Sequence, residues 1–176
     1  QLPDMKPDQV LSEPSRRNTA PCIAYAANKI LKRNPDANMV VAPSDHVILK
    51  EQAFVDAVKG CLDFTVDKDV LLTLGIKPSR PDTGYGYIQF IDDKTEQVNK
   101  ISKVKTFTEK PDLEMAKFFL QTGEFLWNAG IFIWSAKSIV KAFKEHLPEM
   151  DAIFSEGQAA YDTAAENDFI HKAYEQ

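Results

Sequence analysis

Residues 12–21, SEPSRRNTAP, set a carboxylate (Glu13), two guanidinium groups (Arg16, Arg17), an amide (Asn18) and a hydroxyl (Thr19) directly before an apolar helical pattern. A helix N-terminus presents N–H groups without intrahelical partners at the positive end of a dipole, and arginine forks add affinity for phosphate or a flat base. An ordinary Asn18 or Thr19 cap beside two solvated arginines accounts for the same letters. In VVAPSDH, Asp45 and His46 follow an apolar run. A carboxylate at the end of a strand suits Mg2+, a hard cation that takes oxygen ligands and usually binds through one or two carboxylates plus substrate phosphates. A cap on the next segment is the competing explanation for Asp45.

Further on, RPDTGYGYI carries Gly84 and Gly86 around Tyr85, so backbone can approach a ligand while an aromatic ring covers a sugar face; the same letters make a turn into a strand. TFTEKPD ends with Glu109 beside Lys110, a carboxylate that can accept from sugar hydroxyls next to an ammonium that can reach a phosphate, although Lys-Pro-Asp is also a common way to begin a helix. WNAGIFIW sets Asn128 inside an apolar run, where a polar amide must find hydrogen bonds from the protein or from a ligand. No Gly-x-Ser-x-Gly elbow, phosphate-binding Gly-x-x-x-x-Gly-Lys loop or His-Glu-x-x-His pair occurs, and of the three histidines His146 and His171 fall on exposed-looking helical segments. No covalent nucleophile is evident.

The elements that must hold these residues alternate. QVLSEP is expected to form a short strand, residues 18–34 a helix with Pro21 in its first turn, and NMVV a buried strand. KEQAFVDAVKGCLDF follows with Phe54, Val58, Cys61 and Leu62 on one helical face, and VLLTLGI at residues 70–76 is the next apolar strand. Such alternation describes βαβ units, and in parallel sheets ligands collect at the carboxyl ends of the strands. The second half predicts two strands joined at DDKTEQ, a helix closed by Gly123, a long apolar strand FLWNAGIFIWS, an amphipathic helix AKSIVKAFKEHL, and broken helices from Pro148. Together these predict a mainly parallel α/β sheet with helices on both faces and a smaller β portion.

With 176 residues, 44% of them hydrophobic, the chain is expected to form one domain. A net charge of −5 with scattered basic residues argues against nucleic acid as a partner. No apolar stretch approaches a bilayer span, so no membrane partner is expected, and two widely separated cysteines imply neither a disulfide framework nor a zinc site, which suggests a cytoplasmic protein.

Taken in order, EPSRRNTAP, APSDHVI, GIKPSRPDTGYGYI, FTEKP and WNAGIFIW resemble the core of the mannose-1-phosphate guanylyltransferases over residues 11 to about 147. The resemblance implies a Rossmann-like nucleotidyltransferase fold that joins GTP and mannose 1-phosphate into GDP-mannose and pyrophosphate, with the substrate phosphate as nucleophile. It implies nucleotide contacts from Glu13, Arg17, Asn18 and Thr19, and sugar contacts from Tyr85, Gly86, Glu109 and Asn128. Lys110 would meet the sugar phosphate and Asp45 would bind Mg2+, these two being the catalytic pair.

Two family features have no counterpart here: a Gly-rich, Arg-bearing loop before residue 12, and a second metal carboxylate after HKAYEQ. The expectation is therefore a core truncated at both ends and inactive alone, with apolar surface whose pairing would give a homodimer. A related sugar-1-phosphate nucleotidyltransferase, or a noncatalytic domain that binds nucleotide sugars, fits the same motifs.

Overall fold

A computed structural model describes residues 4–91 and 101–176. The chain forms two compact units, one made of the segment up to Met39 with Trp134–Gln176 and the other of Val40–Ile133. It passes from one to the other within strands β1 (Asn38–Val41) and β5 (Phe125–Ser135).

The first unit is helical. Helix α1 (Thr19–Arg33) buries Ile23, Ala24, Tyr25, Ala27 and Asn28, and packs against α4 (Ala136–His146) and α5 (Pro148–Ser155). Ser135 caps α4 by accepting from the Ser138 amide at 3.0 Å. A 3-10 turn, Glu156–Ala159, then leads to α6 (Glu166–Glu175). Tyr161 is fully buried, stacks on Tyr25 with ring centroids 6.0 Å apart, and donates its hydroxyl to the Phe154 carbonyl at 2.6 Å.

An ion-pair network ties α1 to the turn before α6. Lys29 reaches both oxygens of Glu166, at 2.5 and 2.7 Å, and stands 3.3 Å from Asp162. Arg33 Nε donates to both Asp162 oxygens at 3.0 and 2.9 Å, the Asp162 amide donates to Glu166 at 2.7 Å, and Tyr25 adds its hydroxyl to Glu166. Burial alone would raise the Glu166 carboxyl, but the hydrogen bonds from Lys29, Tyr25 and the Asp162 amide outweigh it and hold it below the ordinary value. Asp162 falls to about 2, first through its bond from Arg33; burial opposes this, and the bond from Lys29 adds to the lowering.

The second unit carries the β structure. Among the described residues the sheet has five strands in the order β1-β5-β3-β4, with β2 (Leu71–Ile76) also pairing β5. Strands β3 (Tyr87–Phe90) and β4 (Val104–Thr108) pair antiparallel, and β3 pairs antiparallel with β5. The expectation of a mainly parallel sheet is thus corrected, while the α/β class holds. The physical reason lies in the connections. A parallel pair needs a crossover, usually helical, whereas β3 and β4 are neighbours in sequence. The crossover is α3 (Leu113–Thr122), which carries the chain from β4 over β3 so that β4 and β5 point the same way on either side of it. The turn expected at DDKTEQ lies outside the described residues.

The apolar run FLWNAGIFIWS forms strand β5 as expected, and along it buried positions alternate with partly exposed ones as far as Ile133. Phe125 and Trp127 join Ala116 and Phe119 of α3, while Ala129, Ile131 and Ile133 pack with Cys61 and partly buried Phe54 and Leu62 of α2 (Glu51–Thr65). Asp112 caps α3 by accepting from the Met115 amide at 2.8 Å, and Gly123 closes it at φ 71°. QVLSEP departs from expectation: Pro7–Gln9 forms a 3-10 turn and Val10 is 57% exposed. Pro7 and Pro14 bracket this stretch, and proline supplies no ladder donor.

Candidate functional site

Of the residues expected to meet a sugar, Tyr85, Gly86 and Asn128 come together on β5 of the Val40–Ile133 unit. The Asn128 amide N–H donates to the Gly86 carbonyl at 2.8 Å, joining the glycine turn to the strand. Its side-chain oxygen accepts from the Gly130 N–H at 3.1 Å and lies 2.9 Å from the Thr73 hydroxyl, which is also 3.1 Å from the Ile131 carbonyl. Because a backbone N–H must meet an acceptor, Gly130 fixes which end of the amide is oxygen. The Asn128 NH2 group is left as a donor without a protein partner among the described residues.

Gly86 is buried, and a Cβ there would lie 2.9 Å from Glu109 Oε2 and 3.0 Å from the Phe107 ring. Only glycine lets the carboxylate of Glu109 lie across this backbone. Glu109 is itself exposed and pairs with Lys110 at 3.3 Å. Lys110 holds φ 42°, a left-handed conformation that an L-residue adopts at a cost. Tyr85 is 41% exposed, with its ring 4.9 Å from that of Trp127, and the Arg80 guanidinium lies 5.2 Å from the same indole.

The turn that presents Tyr85 and Gly86 is locked by its own polar groups. Asp82 accepts from the Gly84 amide at 2.8 Å and from Arg80 at 2.5 Å, and the Tyr87 hydroxyl donates to the Asp82 carbonyl at 2.9 Å. The Asp82 carboxyl sits below its usual value, chiefly through the Gly84 amide, with Arg80 adding to it against a contribution from burial.

Asp45 stands exposed in the turn after β1, with His46 beside it. A Cβ at Gly130 would come 3.5 Å from Pro43, so this segment runs past the Asn128–Gly130 stretch before reaching Asp45. Among the described residues no group of three His, Cys, Asp or Glu side chains could hold a metal ion. Asp45 therefore fits Mg2+ only as one oxygen ligand of an ion whose other ligands are phosphate and water.

The residues expected to meet a nucleotide belong to the other unit. Glu13, Arg17 and Asn18 are exposed on the strand-free stretch leading into α1, and Thr19, also exposed, is its first residue. Asn18 occupies the cap position at φ 63°, yet no side chain caps the helix, so the capping explanation leaves the Asn18 amide unused. Glu13 accepts from the Tyr174 hydroxyl at 2.7 Å, and Arg17 donates to the Tyr174 carbonyl at 3.0 Å. Burial and then the carboxylate of Glu13 push the Tyr174 hydroxyl up, and Cys22 is raised for the same two reasons. The sequence reading missed Tyr174 and Thr73, because neither carries a local motif; both act across long sequence separations.

Residues 6–173 match the family described as Nucleotidyl transferase. The chain belongs to that family. It is 38% identical over 165 residues to "Mannose-1-phosphate guanylyltransferase" of Klebsiella pneumoniae, covering 93% of this chain and 34% of the relative. The "Xanthan biosynthesis protein XanB" of Xanthomonas campestris is 43% identical over 120 residues, 68% of this chain and 24% of that protein. A solved structure titled mannose-1-phosphate geranyltransferase, from Thermus thermophilus, superposes with a TM-score of 0.78 at 25% identity, over 92% of this chain and 45% of that one. The chain spans between 24% and 34% of the length of these curated relatives. Among the described residues no helix is long and apolar enough to cross a membrane.

Proposed function

We propose that this chain carries the sugar side and part of the nucleotide side of an enzyme that makes GDP-mannose and pyrophosphate from GTP and mannose 1-phosphate. In that reaction a phosphate oxygen of mannose 1-phosphate attacks the α-phosphorus of GTP. A new P–O bond forms, the bond between the α- and β-phosphates breaks, and pyrophosphate leaves. The attacking oxygen is already ionised, so no general base is needed, and the protein's task is alignment and charge neutralisation.

The observation that carries this reading is the contact of Glu109, Gly86 and Asn128: an outward carboxylate lies over a glycine hydrogen-bonded to an asparagine whose NH2 has no protein partner among the described residues. A carboxylate acceptor and an amide donor this close suit a polyol, which offers both kinds of group. Tyr85 on Trp127 would cover a sugar face, and Lys110, next to Glu109, would meet the sugar phosphate. Glu13, Arg17, Asn18 and Thr19 would receive guanosine and its phosphates. Mg2+, when bound, would offset charge on the phosphates, with Asp45 as its protein ligand.

The test is a titration of the chain with GDP-mannose and Mg2+ followed by tryptophan fluorescence, since Trp127 adjoins Asn128. A saturable change that is lost in Asn128→Ala and Glu109→Ala, and that UDP-glucose fails to reproduce, is expected. A response to UDP-glucose equal to that for GDP-mannose would reject the guanosine and mannose assignment.

A further inference from the structure

Glu13 and Arg17 lie in a stretch without regular structure, and both are tied to one residue far away in sequence. Tyr174, in the last turn of α6, gives its hydroxyl to Glu13 at 2.7 Å and takes a bond from Arg17 on its carbonyl at 3.0 Å. Its ring is 5% exposed and meets Phe154 edge-on with centroids 5.7 Å apart. A rigid, packed ring thus ends in a hydroxyl aimed at a surface carboxylate. A solvated glutamate held this way loses rotamer freedom before any ligand arrives, which reduces the ordering cost of binding. Tyr174 engages the Oε1 oxygen of Glu13, and the Cys22 thiol also bonds that carboxylate.

We propose that Tyr174 is the positioning residue of the nucleotide-side loop, setting nucleotide affinity through Glu13 and Arg17 without touching the nucleotide. This rests on the functional reading above, in which that loop receives guanosine. Tyr174→Phe keeps the ring and the carbonyl and removes only the hydroxyl, so the Arg17 bond survives while Glu13 loses its tyrosine donor. A hydrogen bond to a charged group is worth enough that its loss weakens nucleotide binding by about tenfold. Mannose 1-phosphate binds the other set of residues and keeps its affinity.

The experiment measures Kd for GDP and, separately, for mannose 1-phosphate in the unaltered chain, in Tyr174→Phe, in Glu13→Ala and in the double variant, together with Tm for each. The expected result is a GDP affinity about tenfold lower in Tyr174→Phe at unchanged mannose 1-phosphate affinity. In the Glu13→Ala background the same substitution costs less than about twofold, because the group it positions is gone. Equal GDP affinity in the unaltered chain and Tyr174→Phe overturns the inference alone, as does an equal loss in the two backgrounds. Parallel losses of GDP and mannose 1-phosphate affinity with a lowered Tm also overturn it, by assigning Tyr174 a general structural role. If the unaltered chain binds mannose 1-phosphate but not GDP, the nucleotide assignment of the loop is what fails, and the inference falls with it. Tyr174→Trp serves as a second variant: it fills the ring site and lacks the hydroxyl, so it must share the GDP loss of Tyr174→Phe.

Discussion

The two units hold their candidate residues by different means. In the helical unit Glu13 and Arg17 are fixed by Tyr174, 161 and 157 residues away, and α1 is clamped to the start of α6 and the turn before it by charge pairs 129 to 137 residues apart in sequence. In the Val40–Ile133 unit the candidates hold one another more directly, through the Asp82–Gly84 turn, the adjacent Glu109–Lys110 pair and the Gly86–Asn128 backbone bond between segments of paired strands. The contrast predicts that the nucleotide side responds to the stability of a remote framework. The sugar side responds to single atoms close to the site.

The largest effect is expected where the framework is cut. Lys29 and Glu166 have side chains only 10% and 12% exposed. Lys29→Ala leaves the Glu166 carboxylate largely buried without its cation, and breaking such a pair from one side costs about 3 kcal/mol. Urea unfolding should show that loss in ΔG, with nucleotide affinity falling at concentrations where part of the population is unfolded. A loss below about 1 kcal/mol would place this network among ordinary surface pairs.

On the sugar side the corresponding cut leaves the fold intact. Asn128→Asp keeps an oxygen for Gly130 and Thr73 and replaces the outward NH2 by a second oxygen. Mannose 1-phosphate affinity should fall by about thirtyfold, since a donor is lost and a negative charge faces a phosphate ester. Circular dichroism and Tm should change little. Gly86→Ala follows with a loss of about tenfold, because its Cβ would stand 2.9 Å from Glu109 Oε2 and push that exposed carboxylate aside. If Gly86→Ala lowers Tm sharply and leaves affinity alone, the close approach serves packing and not a ligand.

Acid should separate the units more gently. Asp162 is depressed to about 2 and Glu166 is held low, so their native bonds contribute stability above the unfolded carboxylate range near pH 4 and lose it as pH falls toward 2. Tm followed from pH 6 to pH 3 should decline more in the unaltered chain than in Asp162→Asn, which has already lost part of that linkage.

How far the letters carry follows the same division. The helix 18–34, the cap and αL closure of α3 and the apolar strand FLWNAGIFIWS are legible because each rests on local periodicity or turn chemistry. What stays hidden is pairing between distant segments. The β3–β4 pair is antiparallel, as two strands joined by a short polar turn lead one to expect, whereas the antiparallel pairing of β3 with β5 is misread because an apolar run such as FLWNAGIFIWS carries no mark of its partners' direction. QVLSEP looks like a strand although two prolines bracket it. Nothing near Tyr174 announces that its hydroxyl meets Glu13, and Thr73, one hydroxyl in a strand, reveals nothing of Asn128 until the sheet is assembled.

The smallest expected effect bears on why Lys110 is a lysine. At φ 42° an L-residue is strained by roughly 1 kcal/mol, and glycine relieves the strain while adding freedom to the unfolded chain. Lys110→Gly should therefore leave stability unchanged or raise it by up to about 1 kcal/mol, an unusual outcome for a substitution beside a candidate site. The same variant should lose affinity for mannose 1-phosphate and none for free mannose, because only the ester offers a charge to an ammonium. That pairing of a stability gain with a phosphate-specific loss would mean the strain is retained for the ligand. A drop in stability with both affinities intact would instead make the Lys110–Glu109 pair a structural contact, and the phosphate would need another cation.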